Sequence, residues 1–147
     1  MENIQNVTNL EEERPNRCVL IMNENISGGY LANAIAVIAL TVGERHPYLV
    51  GAPLVDASGV SHPGLIPIGI PMLKCDNEQL KELRIKALEK GCDVVDFPIQ
   101  GLQTKDYDEF IDMMSVINTN DIDYLGIAIV GKKNAVNRLT KHCEMIK

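Results

Sequence analysis

Three short runs rich in apolar residues, 17–22, 92–97 and 124–130, alternate along the chain with longer segments of helical periodicity. A short apolar run bounded by turn residues is typical of a strand that is buried on both faces. Strands of that kind need helices on both sides of their sheet. The alternation therefore predicts an α/β fold with three layers, α/β/α, around a small mixed sheet.

The length of 147 residues fits a single domain. We expect a polar N-terminal arm over residues 1–16 and one α/β domain over residues 17–147, because the apolar patterning begins at Arg17. The opening residues contain no basic segment followed by an apolar run, which argues against a secretory signal. The apolar stretch 30–42 is too short and too interrupted to cross a bilayer. A cytoplasmic protein without membrane contact is expected.

The helical segments differ in how much of their surface is apolar. Segment 30–42 is apolar nearly all round, which predicts a helix that is buried on almost every side. A capping-box pattern at Asp76 begins a second helix, and Gly91 ends it. A third helix is predicted to begin at Thr104, and a basic helix follows Gly131.

Residues 65–75 alternate apolar side chains with Pro67, Gly69 and Pro71, which is the period-two pattern of a strand with one apolar face. Proline lacks the N–H group that a ladder hydrogen bond needs. Both prolines would leave the same side of the strand without donors, so the pattern predicts an edge strand, or one whose second side is bulged or covered.

Two places combine a strand, a polar turn with glycine and the start of a helix, namely Asn23–Gly29 and Gly131–Asn134. Each suits a plain connection, but a helix N-terminus also presents unpaired N–H groups and partial positive charge to carboxylate or phosphate. If the two strands are parallel neighbours, both turns open at one end of the sheet, where ligands commonly bind. The sequence thus predicts a small anionic ligand between the turns. The candidate binding residues are Asn23, Ser27, Gly29 and Tyr30 from the first turn, Lys132, Lys133 and Asn134 from the second, and Asn33 and Arg138 behind them.

The charge of the chain is unevenly distributed. A formal net charge of -6 disfavours RNA and anionic membranes as general partners, because phosphates would be repelled on average. Over residues 131–147, however, lysine and arginine outnumber carboxylates by five to one. This asymmetry is expected to steer a small anion to one end of the molecule.

The histidines and cysteines show no metal-ligand spacing and no C-x-x-C pair, so we predict no metal, no cofactor and no redox motif. Free, mostly buried thiols are expected at Cys18, Cys75, Cys92 and Cys143. A relay through His62, Asp56 and Ser61 would need a nucleophile elbow, which is missing, so a turn-stabilising histidine is favoured. Asp93 and Asp96 should lie on opposite faces of their strand.

Several motifs, in order along residues 17–142, resemble those of an uncharacterised bacterial family called domain of unknown function two thousand. They are Arg17–Met22, Gly28–Ala34, Arg45–Pro47, Val55–Ala57, His62–Gly64 and Gly131–Thr140. That family is similar in fold to type two peptidyl-tRNA hydrolases. The resemblance implies a mixed sheet flanked by helices and a homodimer.

The hydrolases open their first helix with a pattern like G-K-x-A-A-Q-x-x-H-A. Aligned on Gly29, this chain has Tyr30 in place of the lysine, Ala34 in place of the glutamine and Val37 in place of the histidine. The segment 139–142 is similar to the V-T-G-H ending of those enzymes. The resemblance thus implies the scaffold without its lysine-centred chemistry. Three functions follow: an anion-binding protein, a hydrolase of peptidyl-tRNA or another ester or amide, and a dimeric interaction module.

Overall fold

The computed structural model describes residues 14–147, so the predicted arm over residues 1–16 lies almost wholly outside the described part of the chain. The elements are β1 (Arg17–Asn23), α1 (Gly28–Arg45), β2 (Leu54–Val55), β3 (Ser61–His62), β4 (Met72–Cys75), α2 (Asn77–Glu89), β5 (Asp93–Pro98), α3 (Tyr107–Met114), β6 (Tyr124–Gly131), α4 (Lys133–Thr140) and β7 (Glu144–Met145). Short 3-10 turns occupy Pro47–Leu49, Ile99–Leu102 and Thr119–Asp121.

Five strands form the main sheet in the order β5-β6-β1-β4-β7. Strands β1 and β4 run parallel, whereas the β1–β6, β5–β6 and β4–β7 pairs are antiparallel. All eight residues of β6 are buried, so this strand forms the middle of the domain. The prediction of a mixed sheet with helices is confirmed.

Side chains of β1 point alternately to the two faces of the sheet and divide the core into two clusters. Val19 and Ile21 pack against α2 and α4 in one cluster. Leu20 and Met22 pack against α1 in the other. Helices therefore cover both faces of the sheet. The helices on one face pack on one set of alternate β1 side chains, and the helix on the other face packs on the other set.

Helix α1 is less buried than its composition indicates. Only Ala34, Ile38 and Val42 are fully buried, and their spacing of four residues makes one narrow stripe against the sheet. The opposite side is exposed, with Leu40 at 80% and Tyr30 at 69% of their full accessible areas. The prediction of burial on almost every side is wrong, because no described element covers the outer side of this layer. Among the described residues, no helix is long and apolar enough to span a membrane.

The strand predicted over residues 65–75 is shorter than expected, and it is not an edge strand because β7 covers its second side. Only Met72–Cys75 is a strand, and it lies between β1 and β7. Pro71 stands just before it, and its carbonyl oxygen accepts a hydrogen bond from the Leu20 N–H at 3.0 Å. The prolines therefore lie in the preceding loop, where their missing donors cost no ladder bonds.

Local capping signals place the remaining helices. Asp76 accepts a hydrogen bond from the Gln79 backbone N–H at 2.9 Å, and the Gln79 side chain accepts one from the Asp76 N–H at 3.2 Å. The predicted capping box of α2 is thus confirmed. Helix α3 begins later than predicted, at Tyr107 rather than Thr104, because the Asp106 carboxylate caps it by accepting from the Glu109 N–H at 2.8 Å.

The loop between α1 and β4 is closed by a tight approach of two glycines. Gly51 donates its N–H to the Leu65 carbonyl at 2.8 Å. A Cβ atom on Gly64 would overlap the carbonyl oxygen of Gly51. Since backbone cannot swing away as a flexible side chain can, glycine is needed at position 64 for this contact.

We expect Gly64→Ala to lower the free energy of unfolding by about 1–3 kcal/mol, because the new methyl group forces the two backbone segments apart. Chemical denaturation would measure the change. Gly69→Ala is the matched control, since a Cβ there meets nothing within 4 Å. Equal stabilities of the two variants would show that the approach is not constraining.

Candidate functional site

The two strand-to-helix turns lie at opposite ends of the sheet. Strands β1 and β6 are antiparallel, so Gly131 is opposite Arg17, whereas Asn23 lies beyond Met22 at the other end of β1. A strand of seven residues separates the two turns by roughly 20 Å at ~3.3 Å per residue. The expectation of a common end is wrong because it assumed parallel neighbours, and the predicted binding residues do not converge on one small ligand.

At the first turn, Asn23 has a structural role. Its side-chain amide donates to the Tyr124 carbonyl at 3.1 Å, and its side-chain oxygen accepts from the Asn25 N–H at 3.0 Å. Ser27 stands at the N-cap position of α1 but makes no side-chain capping bond. The Asn23 amide is therefore occupied in holding the turn against β6.

Three of the predicted residues do lie together at this turn. Gly29, Tyr30 and Asn33 line a shallow, open depression with Leu102. Asn33, which lies in the helix that the sequence predicts to be buried on almost every side, is exposed on the outer side of α1. Glu24 lies in the same turn and donates its N–H to the carbonyl of Cys75, next to Asp76. The depression is therefore open to solvent at an acidic end of the sheet, which disfavours an anion.

The second turn is already capped by the chain itself. The Lys133 N–H donates to the Asn16 side-chain oxygen at 2.9 Å, and the Asn16 N–H donates to the Gly131 carbonyl at 3.0 Å. The Asn16 oxygen thus takes the place that a ligand oxygen would take at the start of α4. Lys132, Lys133 and Asn134 are exposed around it. Sequence reasoning missed this cap because Asn16 is distant in sequence.

A basic groove of about 440 Å³ lies between α2 and α4. The two helices lie side by side on one face of the sheet, and each contributes a stripe of residues at helical spacing. The groove is lined by Gln79, Glu82, Leu83, Lys86 and Lys90 from α2 and its C-cap, by Ala135, Arg138 and Leu139 from α4, and by Lys141, His142 and Cys143 after it. We call this surface the α2–α4 groove.

Four cationic side chains line the α2–α4 groove against one carboxylate. Lys86 is paired with that carboxylate, on Glu82, at 2.8 Å. No ion pair within residues 14–147 engages Lys90, Arg138 or Lys141. Apolar side chains of Leu83, Ala135 and Leu139 line the groove beside these charges. The arrangement suits a ligand with an anionic group and an apolar body.

Only Arg138 of the predicted site residues belongs to this groove. The lysines of α2 were missed because nothing in the sequence pairs α2 with α4. Lys86 and Lys90, four residues apart on one helical face, were the available signal.

A second polar cluster fastens the end of α1 to β5. Arg45 donates to both carboxylate oxygens of Asp93, at 2.8 and 2.9 Å, and His46 Nε2 is 2.7 Å from the same group. The Tyr48 hydroxyl lies 2.9 Å from His46 Nδ1. Hydrogen bonds from Arg45, and secondarily from His46, hold the pKa of Asp93 below its usual range. Asp96 pairs with Arg84 of α2 at 2.8 Å, which confirms that the two aspartates occupy opposite faces.

The His62–Asp56 pair lies in the hairpin formed by β2 and β3. His62 Nε2 is 2.9 Å from the Asp56 carboxylate, which also accepts from the N–H groups of Ser58 and Val60 at 2.9 and 3.1 Å. The carboxylate thus holds the turn, and His62 adds a third contact. This geometry agrees with the turn-stabilising role expected for His62.

Among residues 14–147, no group of three or more histidine, cysteine, aspartate or glutamate side chains is placed to hold a metal ion.

These features define a mixed α/β domain with a basic groove on one helical layer. The chain belongs to the family described as protein of unknown function (DUF2000), whose model matches residues 16–147. This confirms the family resemblance seen in the sequence.

Among the solved structures similar in fold is a protein of unknown function, Atu0240, from Agrobacterium tumefaciens strain C58. The TM-score is 0.80 at 16% identity, over 89% of this chain and 97% of that one. No curated protein shows a significant match. The likeness to peptidyl-tRNA hydrolases remains a prediction.

We expect Asp93→Asn to lower the free energy of unfolding by about 1–2 kcal/mol at neutral pH, because it removes the charge that Arg45 and His46 bind. Because the pKa of Asp93 is lower in the folded protein than in the unfolded chain, ionised Asp93 stabilises the fold above the unfolded-state pKa of about 3.9. This stabilisation is lost as the pH falls through the folded-state pKa. The difference between wild type and variant should therefore shrink below about pH 4.

Denaturation curves at several pH values would test this. Asp112→Asn removes an exposed carboxylate that has no side-chain partner among the described residues, and it serves as the control. An unfolding difference for Asp93→Asn that persists unchanged in acid would contradict an ionic origin.

Proposed function

We propose that the protein binds a small organic anion with an apolar body in the α2–α4 groove. The main support for this proposal is that three cationic side chains line the groove without a carboxylate partner among the described residues, namely Lys90, Arg138 and Lys141. The proposal keeps the ligand class expected from the sequence and changes its location.

The chemistry of the groove supports an amphipathic anion over a bare ion. The planar guanidinium of Arg138 can donate two parallel hydrogen bonds to a carboxylate or phosphate, and the lysines add charge. Leu83 and Leu139 offer apolar surface, whose burial contributes about 25 cal/mol per Å². A volume of 440 Å³ suits a small molecule.

Hydrolysis has weaker support. At the first turn, Tyr30, Ala34 and Val37 occupy the places of the lysine, glutamine and histidine in the hydrolase pattern. Ala34 is also fully buried against the sheet, where a reacting group would have no access to substrate. The hydrolase alternative therefore rests on the fold resemblance alone.

Thermal unfolding with a panel of inorganic phosphate, acetate, octanoate and an aryl phosphate would test the proposal. An amphipathic anion at about 100 times its dissociation constant should raise Tm by roughly 5–10 °C, and acetate should have little effect. Lys90→Ala combined with Arg138→Ala should abolish the shift.

Lys105→Ala is the control, because Lys105 is an exposed lysine outside the groove. It should leave the ligand-induced shift intact. Shifts that are equal in the double variant and the wild type would place binding elsewhere, and no shift with any anion would refute the proposed function.

We also infer that a second copy of the chain binds the outer face of α1. No charged residue occurs from Gly28 to Gly43, and Val37 and Leu40 project outward from this uncharged stretch. A two-fold contact brings each residue near its own symmetry mate or its neighbours, so an uncharged face avoids like-charge repulsion. This observation favours the dimer among the remaining alternatives.

The area available is consistent with a concentration-dependent dimer. A helix of 18 residues is about 27 Å long and offers roughly 300 Å² along one side, below the ~800 Å² per partner of a standard interface. The loop before β4 packs into the same core through Ile66 and Ile70. Leu65 in this loop and Leu54 in β2 are also exposed apolar residues.

We expect Leu40→Glu to convert a dimer into a monomer, because two carboxylates would be buried near each other in the contact. Sedimentation velocity over a range of concentrations would measure this. Val116→Glu is matched, since Val116 is 82% exposed but lies outside α1. A wild-type monomer at all concentrations, or equal effects of both variants, would contradict the α1 contact.

A further inference from the structure

Cys75 and Cys143 face each other across the β4–β7 pair, although 67 residues separate them in the sequence. The antiparallel register pairs Leu73 with Met145 and Lys74 with Glu144, so the next opposed positions are the two cysteines. This pairing is invisible in the sequence because no C-x-x-C spacing accompanies it.

The position of Cys75 and Cys143 in the antiparallel ladder favours a disulfide. The Ile146 N–H donates to the Met72 carbonyl at 2.9 Å, which marks that pair as hydrogen-bonded. Opposed pairs alternate along an antiparallel ladder, so Cys75 and Cys143 occupy a non-hydrogen-bonded position. Cα atoms there are about 4.5 Å apart, within the ~4.4–6.8 Å range that disulfides span.

The two thiols differ in exposure and in acidity. Cys75 is buried, whereas Cys143 is half-buried and lines the α2–α4 groove. Interaction with the neighbouring Cys75 side chain lowers the pKa of the Cys143 thiol, while the same interaction, together with burial, raises the pKa of Cys75. Lys141 and His142 line the groove next to Cys143. Cys143 is thus the more accessible and the more acidic thiol of the pair, and Cys75 lies buried behind it.

We propose that Cys75 and Cys143 form a redox-active pair that a peroxide oxidises to a cross-strand disulfide. The Cys143 thiolate attacks one peroxide oxygen, the O–O bond breaks, and the other oxygen leaves as water or an alcohol after taking up a proton. Cys143 is now a sulfenic acid. The Cys75 sulfur then attacks the Cys143 sulfur, the S–O bond breaks, and the departing hydroxide takes the Cys75 proton and leaves as water. Two thiols lose two electrons in total, and the peroxide gains them.

The remaining cysteines lack this arrangement. Cys18 belongs to the core under α1, on the other face of the sheet, and burial raises the pKa of its thiol to about 11. Cys92 is buried in the α2–α4 core, and burial likewise raises the pKa of its thiol. Both serve as internal controls for reactivity.

Oxidation would fasten β7 to β4 beside the α2–α4 groove. Strand β7 has two residues and follows directly on the segment 141–143 that forms one wall of the groove. The disulfide would hold that wall covalently. This inference does not depend on the proposed ligand, because the two thiols and their register stand without it.

Treatment of the reduced, folded protein with hydrogen peroxide tests the proposal. Alkylation should then count two free thiols instead of four in the monomer. Peptide mapping without reductant should find Cys75 joined to Cys143, and dithiothreitol should reverse the bond.

Variants separate the two roles. Cys143→Ser should prevent the thiol loss, and Cys75→Ala should leave a sulfenic acid on Cys143 that dimedone traps. Cys92→Ser should oxidise like the wild type. Circular dichroism of each variant before oxidation excludes misfolding as the cause.

Three outcomes would overturn the proposal. The first is four remaining thiols in the folded protein at a peroxide concentration that oxidises the urea-unfolded chain. The second is equal oxidation of all four cysteines. The third is a stable sulfenic acid on Cys143 in the wild type, without a bond to Cys75.

Discussion

The antiparallel pairing of β1 with β6 is the constraint on which the rest of the structure depends. It joins strands far apart in the sequence, from Arg17 opposite Gly131 to Met22 opposite Gly126. Both strands are buried on both faces, so their alternating side chains supply the two cores that hold α1 on one side and α2 and α4 on the other. The direction of this pair also sends the helices that follow β1 and β6 away from opposite ends of the sheet.

The parts of the fold that sequence patterns predict are those set by local chemistry. Asp76 caps α2 through Gln79, three residues away. The apolar runs 17–22 and 124–130 become β1 and β6 because burial on two faces requires continuous apolar side chains. The run 92–97 becomes β5, which is mostly half-buried at one edge of the sheet. The local sequence does not specify strand direction, since β6 would end at Gly131 and lead into α4 in the same way in either orientation. The sequence does not predict the exposure of α1 either. An apolar residue such as Leu40 gives the same pattern whether its side chain packs in a core or lies on the surface.

The candidate site, like the fold, has parts that local sequence predicts and parts that only tertiary packing creates. Arg138 was found because the last helix is basic in itself, whereas Lys90 contributes only after packing brings α2 beside α4. Asn16 fills the helix start that the pattern left open, and it comes from far away in the sequence. The sequence locates backbone N–H groups that have no partner within their own helix. Tertiary contacts decide whether another part of the chain binds them. The pairing of Cys75 with Cys143 follows from strand register for the same reason.

The uneven charge of the molecule supports the proposed anion site. With a net charge of -6, the protein repels anions on average, yet Lys90, Arg138 and Lys141 concentrate positive potential in one concave surface. At the Asn23 end of the sheet, by contrast, the Glu24 N–H bonds to the carbonyl of Cys75, next to Asp76, so acidic residues follow both of the parallel strands β1 and β4. A long polyanion would have to cover both regions and would meet repulsion outside the groove. A small anion of the proposed kind would meet only the groove, so the charge distribution that disfavours nucleic acid agrees with a compact ligand.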